Sequence, residues 1–299
     1  MSVRRGFIVL WMAGVMGLSA FAQEPPKPPA PQDVETGEQP NPALVVAAVD
    51  EPDMTYEGKV ADRPDYVAPL QGGGYIFERK DAEGLRVGGV VVPGHVLLRR
   101  GSVELFGCGG GGKEHESIVR LNTGIQGLDL AFTSAGLRRG KLPENANKNP
   151  EAQGSRVLIF IQWIDKDGKL VTHRSEDLVV SLQRNAPMPR VGWTYVGEWI
   201  QIPDPTSAHG VGKHKVLAAA HSRSIITTFR DQSALLDNPL EEAVDDTVFA
   251  ANYMLLPTEG TPVRVIFRST TTAERKELDA IERKIAEKRV EFHKDDREK

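Results

Sequence analysis

The densest chemistry in this sequence lies in Gly107-Cys108-Gly109-Gly110-Gly111-Gly112-Lys113-Glu114-His115-Glu116-Ser117. Four consecutive glycines let the backbone take φ > 0 and turn N–H groups toward an anion. Cys108 and His115 flank the run, and a loop of this length brings a thiol and an imidazole within reach of each other. Such a pair beside a nest of amides suits acyl transfer or thiol chemistry. Cys108 and His115 are therefore the catalytic candidates. Gly109, Gly110, Gly111, Gly112, Lys113, Glu116 and Ser117 are the ligand-binding candidates. If a strand covers 115–121, His115 and Ser117 share a face and Glu116 points away. A plainer reading makes the run a tight connection between strands, with Cys108 a small buried apolar residue and His115 hydrogen-bonded. No third catalytic group is assignable, which favours the plainer reading.

Other patterns dissolve on inspection. Gly107, Gly109 and Gly112 satisfy G-x-G-x-x-G through glycine density alone. Gly107 to Lys113 copies most of a P-loop, but Glu114 stands where a magnesium-ligating Ser or Thr is needed, and a carboxylate there repels phosphates. His209, His214 and His221 invite a metal reading. On a strand, however, His214 and His221 point to opposite sides, and loosely spaced histidines among Gly and Lys read as exposed. Asp165-Lys166-Asp167-Gly168 opens like a calcium loop but lacks the later ligands, so it reads as a turn. Trp163, Trp193 and Trp199 read as core or edge aromatics. No cofactor is implied.

These residues need a scaffold, and the pattern from 56 to 268 supplies short apolar runs between turn signals. The run 85–92 is Val-rich and stops at Pro93-Gly94; 95–99 and 102–106 follow. Runs 156–163 and 170–173 around Asp167-Gly168 predict a hairpin. Further strands are expected over 193–202, 216–220, 224–229, 247–253 and 263–268. Ile125, Leu128, Ala131, Phe132 and Leu137 recur near helical spacing before Gly140. The body therefore reads as a single α+β, mostly β domain, antiparallel and sandwich-like, with at least one helix. Residues 269–299 read as a charged amphipathic helix or short coiled coil. Nine basic and nine acidic residues surround a thin stripe of Leu278, Ile281, Ile285 and Phe292 there.

The start of the chain carries an address. Arg4 and Arg5, an apolar stretch over 7–18 and Ala20-Phe21-Ala22 form a signal peptide over 1–22, cleaved after Ala22. The apolar stretch is too short to span a bilayer, so no membrane span is expected after cleavage. Residues 23–55 form a Pro-rich linker with seven of the 20 prolines in its first part. The mature protein is expected to be periplasmic or secreted. With 37 basic against 41 acidic residues and a net charge of −4, the chain lacks the positive excess that nucleic acid requires. One cysteine excludes an internal disulfide, a cysteine-held iron–sulfur cluster and a Cys-rich zinc site.

The element Lys113-Glu114-His115-Glu116-Ser117-Ile118 follows Pro93-Gly94 and Gly101-Ser102-Val103-Glu104-Leu105. Downstream stand Trp163-Ile164-Asp165-Lys166-Asp167-Gly168, the segment 193–197 and Gly260-Thr261-Pro262-Val263. Together these resemble the bacterial YdjY domain family over roughly 85–268. The resemblance implies an exported protein with one compact domain and no established reaction. Some members carry ferredoxin-like labels, which a lone cysteine cannot support. The expectation is an exported, non-enzymatic binding or structural module. Its partner would be an unknown protein or envelope component, with self-association possible through 270–299. The alternatives are a thiol-dependent enzyme or redox protein using Cys108 and His115, and a protein binding metal through its histidines.

Overall fold

Valine and isoleucine crowd the middle of the chain between Gly, Pro and Asp turns, and β-branched side chains fit a pleated, buried surface. The computed structural model describes residues 58–142, 154–204, 206 and 212–295, all within the unit Asp50–Lys299. The expected signal peptide, the Pro-rich linker and His209 lie outside the described residues. Strands β1 (Tyr66–Leu70), β2 (Gly74–Lys80), β3 (Arg86–Val96), β4 (Leu105–Gly109) and β5 (Ser117–Leu121) precede helix α1 (Ile125–Ser134). Then come β6 (Arg156–Ile164), β7 (Leu170–Arg174), β8 (Val179–Ser181), β9 (Ala186–Pro187), β10 (Trp193–Tyr195), β11 (Trp199–Pro203), β12 (Lys213–Leu217) and the short helix α2 (Ala218–Ser222). Strands β13 (Ser224–Thr227), β14 (Leu236–Asp237), β15 (Phe249–Ala251) and β16 (Pro262–Ser269) lead to the C-terminal helix α3 (Thr272–Asp295).

The protein is mostly β, with α1 and α3 as its main helices. The main sheet runs β1-β2-β3-β16-β6-β10-β14-β13-β4-β5, and β5 returns to pair with β3. Strands β3 through β5 along this path therefore form a closed ring, and the two inner faces of the expected sandwich meet across one continuous sheet. The pairings are antiparallel except β4–β5 and β13–β14. Val90 and Val92 of β3, Ile159 and Ile161 of β6, and Val265 and Phe267 of β16 alternate into the core. Leu128 and Phe132 of α1 join them, and the Phe132 ring lies 5.3 Å from Tyr195 and 5.2 Å from Phe267. Each such buried side chain contributes ~1.5–3 kcal/mol relative to an exposed one. The other face of β2, β3 and β16 buries Tyr75, Phe77, Val91 and Ile266 in a small second cluster.

The predicted hairpin is β6–β7, with Ile164 opposite Leu170. Several expected boundaries move. Strand β3 does not stop at Pro93-Gly94 but runs to Val96. Pro93 is tolerated because its carbonyl accepts from Asn122 N–H at 2.8 Å, which places its missing N–H where β2 has ended and β5 begins. Gly94 is required there, because a Cβ would stand 2.3 Å from the Arg120 carbonyl oxygen. The expected strand over 193–202 breaks into β10 and β11 at Gly197, whose φ is +52°. The expected strand over 216–220 ends at Leu217, and the three alanines that follow turn helical. Strand β5 begins at Ser117, so 115–116 are not strand.

Helix α3 is docked, not free. Leu278 is buried, and Ile281 and Ile285 pack on the core. Thr271 N–H donates to Glu274 at 2.8 Å and Glu274 N–H to Thr271 Oγ1 at 3.2 Å, a reciprocal capping box. Both Arg268 amino groups donate to the same carboxylate at 2.7 Å. Phe292 carries no described side chain.

Candidate functional site

The glycine run forms two structures. Gly107, Cys108 and Gly109 belong to β4, which runs three residues past the expected strand end at Phe106. Cys108 lies opposite Arg120 of β5 and Ser224 of β13, and its side chain is fully buried. Burial pushes its thiol up from the ordinary value, opposed by a hydrogen bond with Ser117. Only Gly110–Lys113 turn the chain. Gly112 N–H donates to Gly109 O at 3.1 Å, and Gly111, at φ +73°, donates to Glu114 Oε1 at 2.7 Å. The anion that this nest of amides awaits is therefore supplied by the chain itself. Arg223 Nη1 donates to Gly110 O at 2.8 Å and fastens the turn to the residue after α2.

The other candidates complete that turn. Lys113 is ion-paired with Glu104 and lies 3.6 Å from Glu116. Ser117 is buried and donates to Lys113 O at 2.6 Å. His115 sits in a 3-10 turn with 77% of its side chain exposed, and its nearest acid is Glu116 at 3.5 Å. A buried neutral thiol and an exposed imidazole are not a nucleophile–base pair. A hollow of about 430 Å³ opens beside Gly109, Gly110 and Gly124, and Cys108 does not line it.

The remaining sequence candidates disperse. His214 is on β12 and His221 is exposed on α2, so the two stand on different elements. Among the described residues no group of three or more His, Cys, Asp or Glu is placed to hold a metal. Asp165 Oδ1 accepts the N–H groups of Asp167 and Lys169 at 2.9 and 2.8 Å, which commits it to the turn. Trp193 is buried and donates to Ser175 Oγ at 2.7 Å; Trp163 is buried and stacks on His173 at 5.4 Å. Trp199 is 50% exposed.

A larger cavity than that hollow lies elsewhere. A cleft of about 990 Å³ is lined by Arg138, Arg139, Gly140, Lys141, Gly154, Ser155, Arg156, Ser269, Thr270 and Arg275. It collects chain from beyond α1, the start of β6, the end of β16 and the first turns of α3. Its floor is tied together by backbone: Gly140 N–H donates to Tyr195 O at 2.9 Å, Ser155 N–H to Arg138 O at 2.9 Å, and Arg138 N–H to Ser155 Oγ at 2.8 Å.

Among the described residues, five cations and no acid line this cleft. Three are braced from outside it. Arg139 is ion-paired with Asp129, whose carboxylate also accepts from Tyr195 Oη at 2.5 Å, and lies against the Tyr195 and Trp199 rings. Arg156 donates to Thr194 Oγ1 at 2.6 Å and Glu282 at 2.5 Å; burial lowers its pKa, and the Glu282 charge opposes that. Arg275 pairs with Asp279 at 3.2 Å. Arg138 and Lys141 are exposed and have no acidic partner among the described residues. With two charges that no described acid compensates, the part-buried Arg156 guanidinium and the hydroxyls of Ser155, Ser269 and Thr270, the cleft can receive an oxyanion. Among the described residues it offers no His, Cys or carboxylate as a general base. Sequence reasoning missed it because its residues are spread from 138 to 275. The one local signal was Arg138-Arg139-Gly140-Lys141, a basic run at a helix exit.

No family model matches the chain, and the curated proteins and the solved structures contain no match either.

Proposed function

We propose that this protein is an exported, non-enzymatic binding module whose ligand is anionic and seats in the Arg138–Arg139–Lys141–Arg156–Arg275 cleft. One observation carries the reading: a cavity of about 990 Å³ whose charged lining residues, among those described, are all cationic. Among the described residues no His, Cys or carboxylate lines it to activate a hydroxyl, which favours holding over turnover. Export rests on the signal-peptide pattern of 1–22, and the likeness to the YdjY domain family rests on Lys113–Ile118 and its flanking motifs. Among the described residues no helix is long and apolar enough to cross a membrane.

The test is calorimetric titration of the full chain with inorganic sulfate and phosphate at low ionic strength. Binding that weakens as salt rises is expected. Arg138→Ala combined with Lys141→Ala should cost about tenfold or more, since charge-assisted hydrogen bonds are worth ~1.5–3 kcal/mol each. Equal affinity in the double variant and the parent would remove the cleft from consideration.

A further inference from the structure

The cleft does not end at its rim. Arg139 lines it and also lies 5.8 Å from the centroid of the half-exposed Trp199 ring, the first residue of β11. Strands β11 and β12 form a two-stranded ribbon with Gln201 opposite Lys215 and Pro203 opposite Lys213. Residues directly opposite share a face, and alternate residues of one strand do too. Trp199, Gln201, Pro203, Lys213 and Lys215 are all exposed on one side, while Ile200, Ile202, His214 and Val216 are half-buried on the other. The exposed face thus extends the cleft by four residues of strand, about 14 Å. Neither lysine has an acidic partner among the described residues. The acids near this path are Asp129, held by Arg139; Glu198, which accepts Leu142 N–H at 3.4 Å; and Asp204 beyond the far end.

We propose that the ligand is an acidic polysaccharide, laid from the cationic cleft across Trp199 and along the exposed face of the β11–β12 ribbon. This rests on the anion-binding reading of the cleft. An indole face offers a flat apolar platform for the C–H face of a sugar ring, while Lys213, Lys215 and Gln201 supply donors for carboxylate and hydroxyl groups. The track is longer than a free phosphate needs. Its cations are sparse, and the chain is net negative at −4, which disfavours nucleic acid with a charge every ~1.7 Å of duplex.

The experiment titrates the full chain with inorganic sulfate, uronic-acid oligosaccharides of two and eight sugars, and a ten-nucleotide oligothymidylate. The octasaccharide is expected to bind about tenfold or more tighter than the disaccharide. Trp199→Ala, and Lys213→Ser with Lys215→Ser, should each bring the octasaccharide down to disaccharide affinity, and the double lysine variant should leave sulfate binding unchanged. Equal affinity for the two lengths, with sulfate binding intact, overturns the polysaccharide track and leaves the cleft standing. Octasaccharide binding unmoved in both ribbon variants overturns it as well. Tighter binding of the oligothymidylate than of the octasaccharide overturns the ligand class. Failure of every anion to bind overturns the cleft and the track together.

Discussion

Glu114 decides the character of the glycine turn. Its carboxylate occupies the Gly111 amide and lies 3.7 Å from Arg120, so a segment that reads in sequence as a vacant anion nest is already filled. Cys108, one strand residue away from that turn, is sealed between β5 and β13. Iodoacetamide at pH 8 is therefore expected to leave the folded protein unlabelled and to modify Cys108 fully once denaturant is added, as read by intact mass. Labelling of the native protein would restore the thiol reading. Gly111 tests the turn itself. Its φ is +73°, and an added Cβ would stand 2.0 Å from Arg223 Nη1. Gly111→Ala should lower unfolding free energy by about 1 kcal/mol or more in urea titrations, whereas Gly84→Ala, whose Cβ meets open space, carries only the positive-φ penalty. Equal losses in the two variants would mean that Arg223 does not brace the turn.

Helix α3 shows what an amphipathic pattern can and cannot reveal. The stripe Leu278, Ile281 and Ile285 was legible at spacings of three and four, and the structure buries it against the body. What fixes the helix in place was not legible: Arg268, at the end of β16, gives two hydrogen bonds to Glu274. Burial pushes the Glu274 carboxyl up, but Arg268 and the Thr271 bonds outweigh it, so its pKa lies below the ordinary value. Glu274→Gln removes the negative charge that pairs with the buried Arg268 guanidinium while its amide oxygen can still accept the Thr271 N–H. The expected loss is about 3–5 kcal/mol, the scale for breaking one partner of a buried pair. A loss under about 1 kcal/mol in chemical denaturation would show that the apolar stripe alone holds the helix. Because Arg275 and the Arg156–Glu282 pair join α3 to the cleft, the same variant should also weaken sulfate binding.

At the scale of the whole molecule, buried charge shapes the response to pH. Asp237 is fully buried, and burial lifts its carboxyl to about 7 against the opposing Arg230 and Arg156 charges. A raised folded pKa gives stability that is complete below the unfolded value, near 3.8, and is lost as pH rises through about 7. Glu274 and Asp65 act in the opposite sense. Asp65 is lifted by burial but brought net below its ordinary value by Arg63 and Arg79. The stability of both lowered groups is present above their unfolded values and lost in acid. The stability maximum is therefore expected at about pH 4–5, with a decline toward pH 7 that His173, whose pKa burial lowers, partly offsets. Thermal midpoints across pH 3–9 would check this. Asp237→Asn should flatten the limb between pH 5 and 7, whatever it costs in absolute stability. A parent curve that rises across that interval would contradict the assignment.

Periodicity and turn chemistry are local, so the sequence alone determined the mostly β class, the Asp-Gly hairpin of β6 and β7, the α1 helix, and the apolar seam of α3. Gly94 and Pro93 read as a strand end because local rules cannot foresee that β5 meets β3 at that point and excuses a missing donor. The closure of the sheet, the occupied amide nest and the gathering of Arg138, Lys141, Arg156 and Arg275 around one cavity were decided only by tertiary structure. Each depends on which distant backbone segments pair, and residues separated by more than a hundred positions leave no shared pattern in the order of the chain.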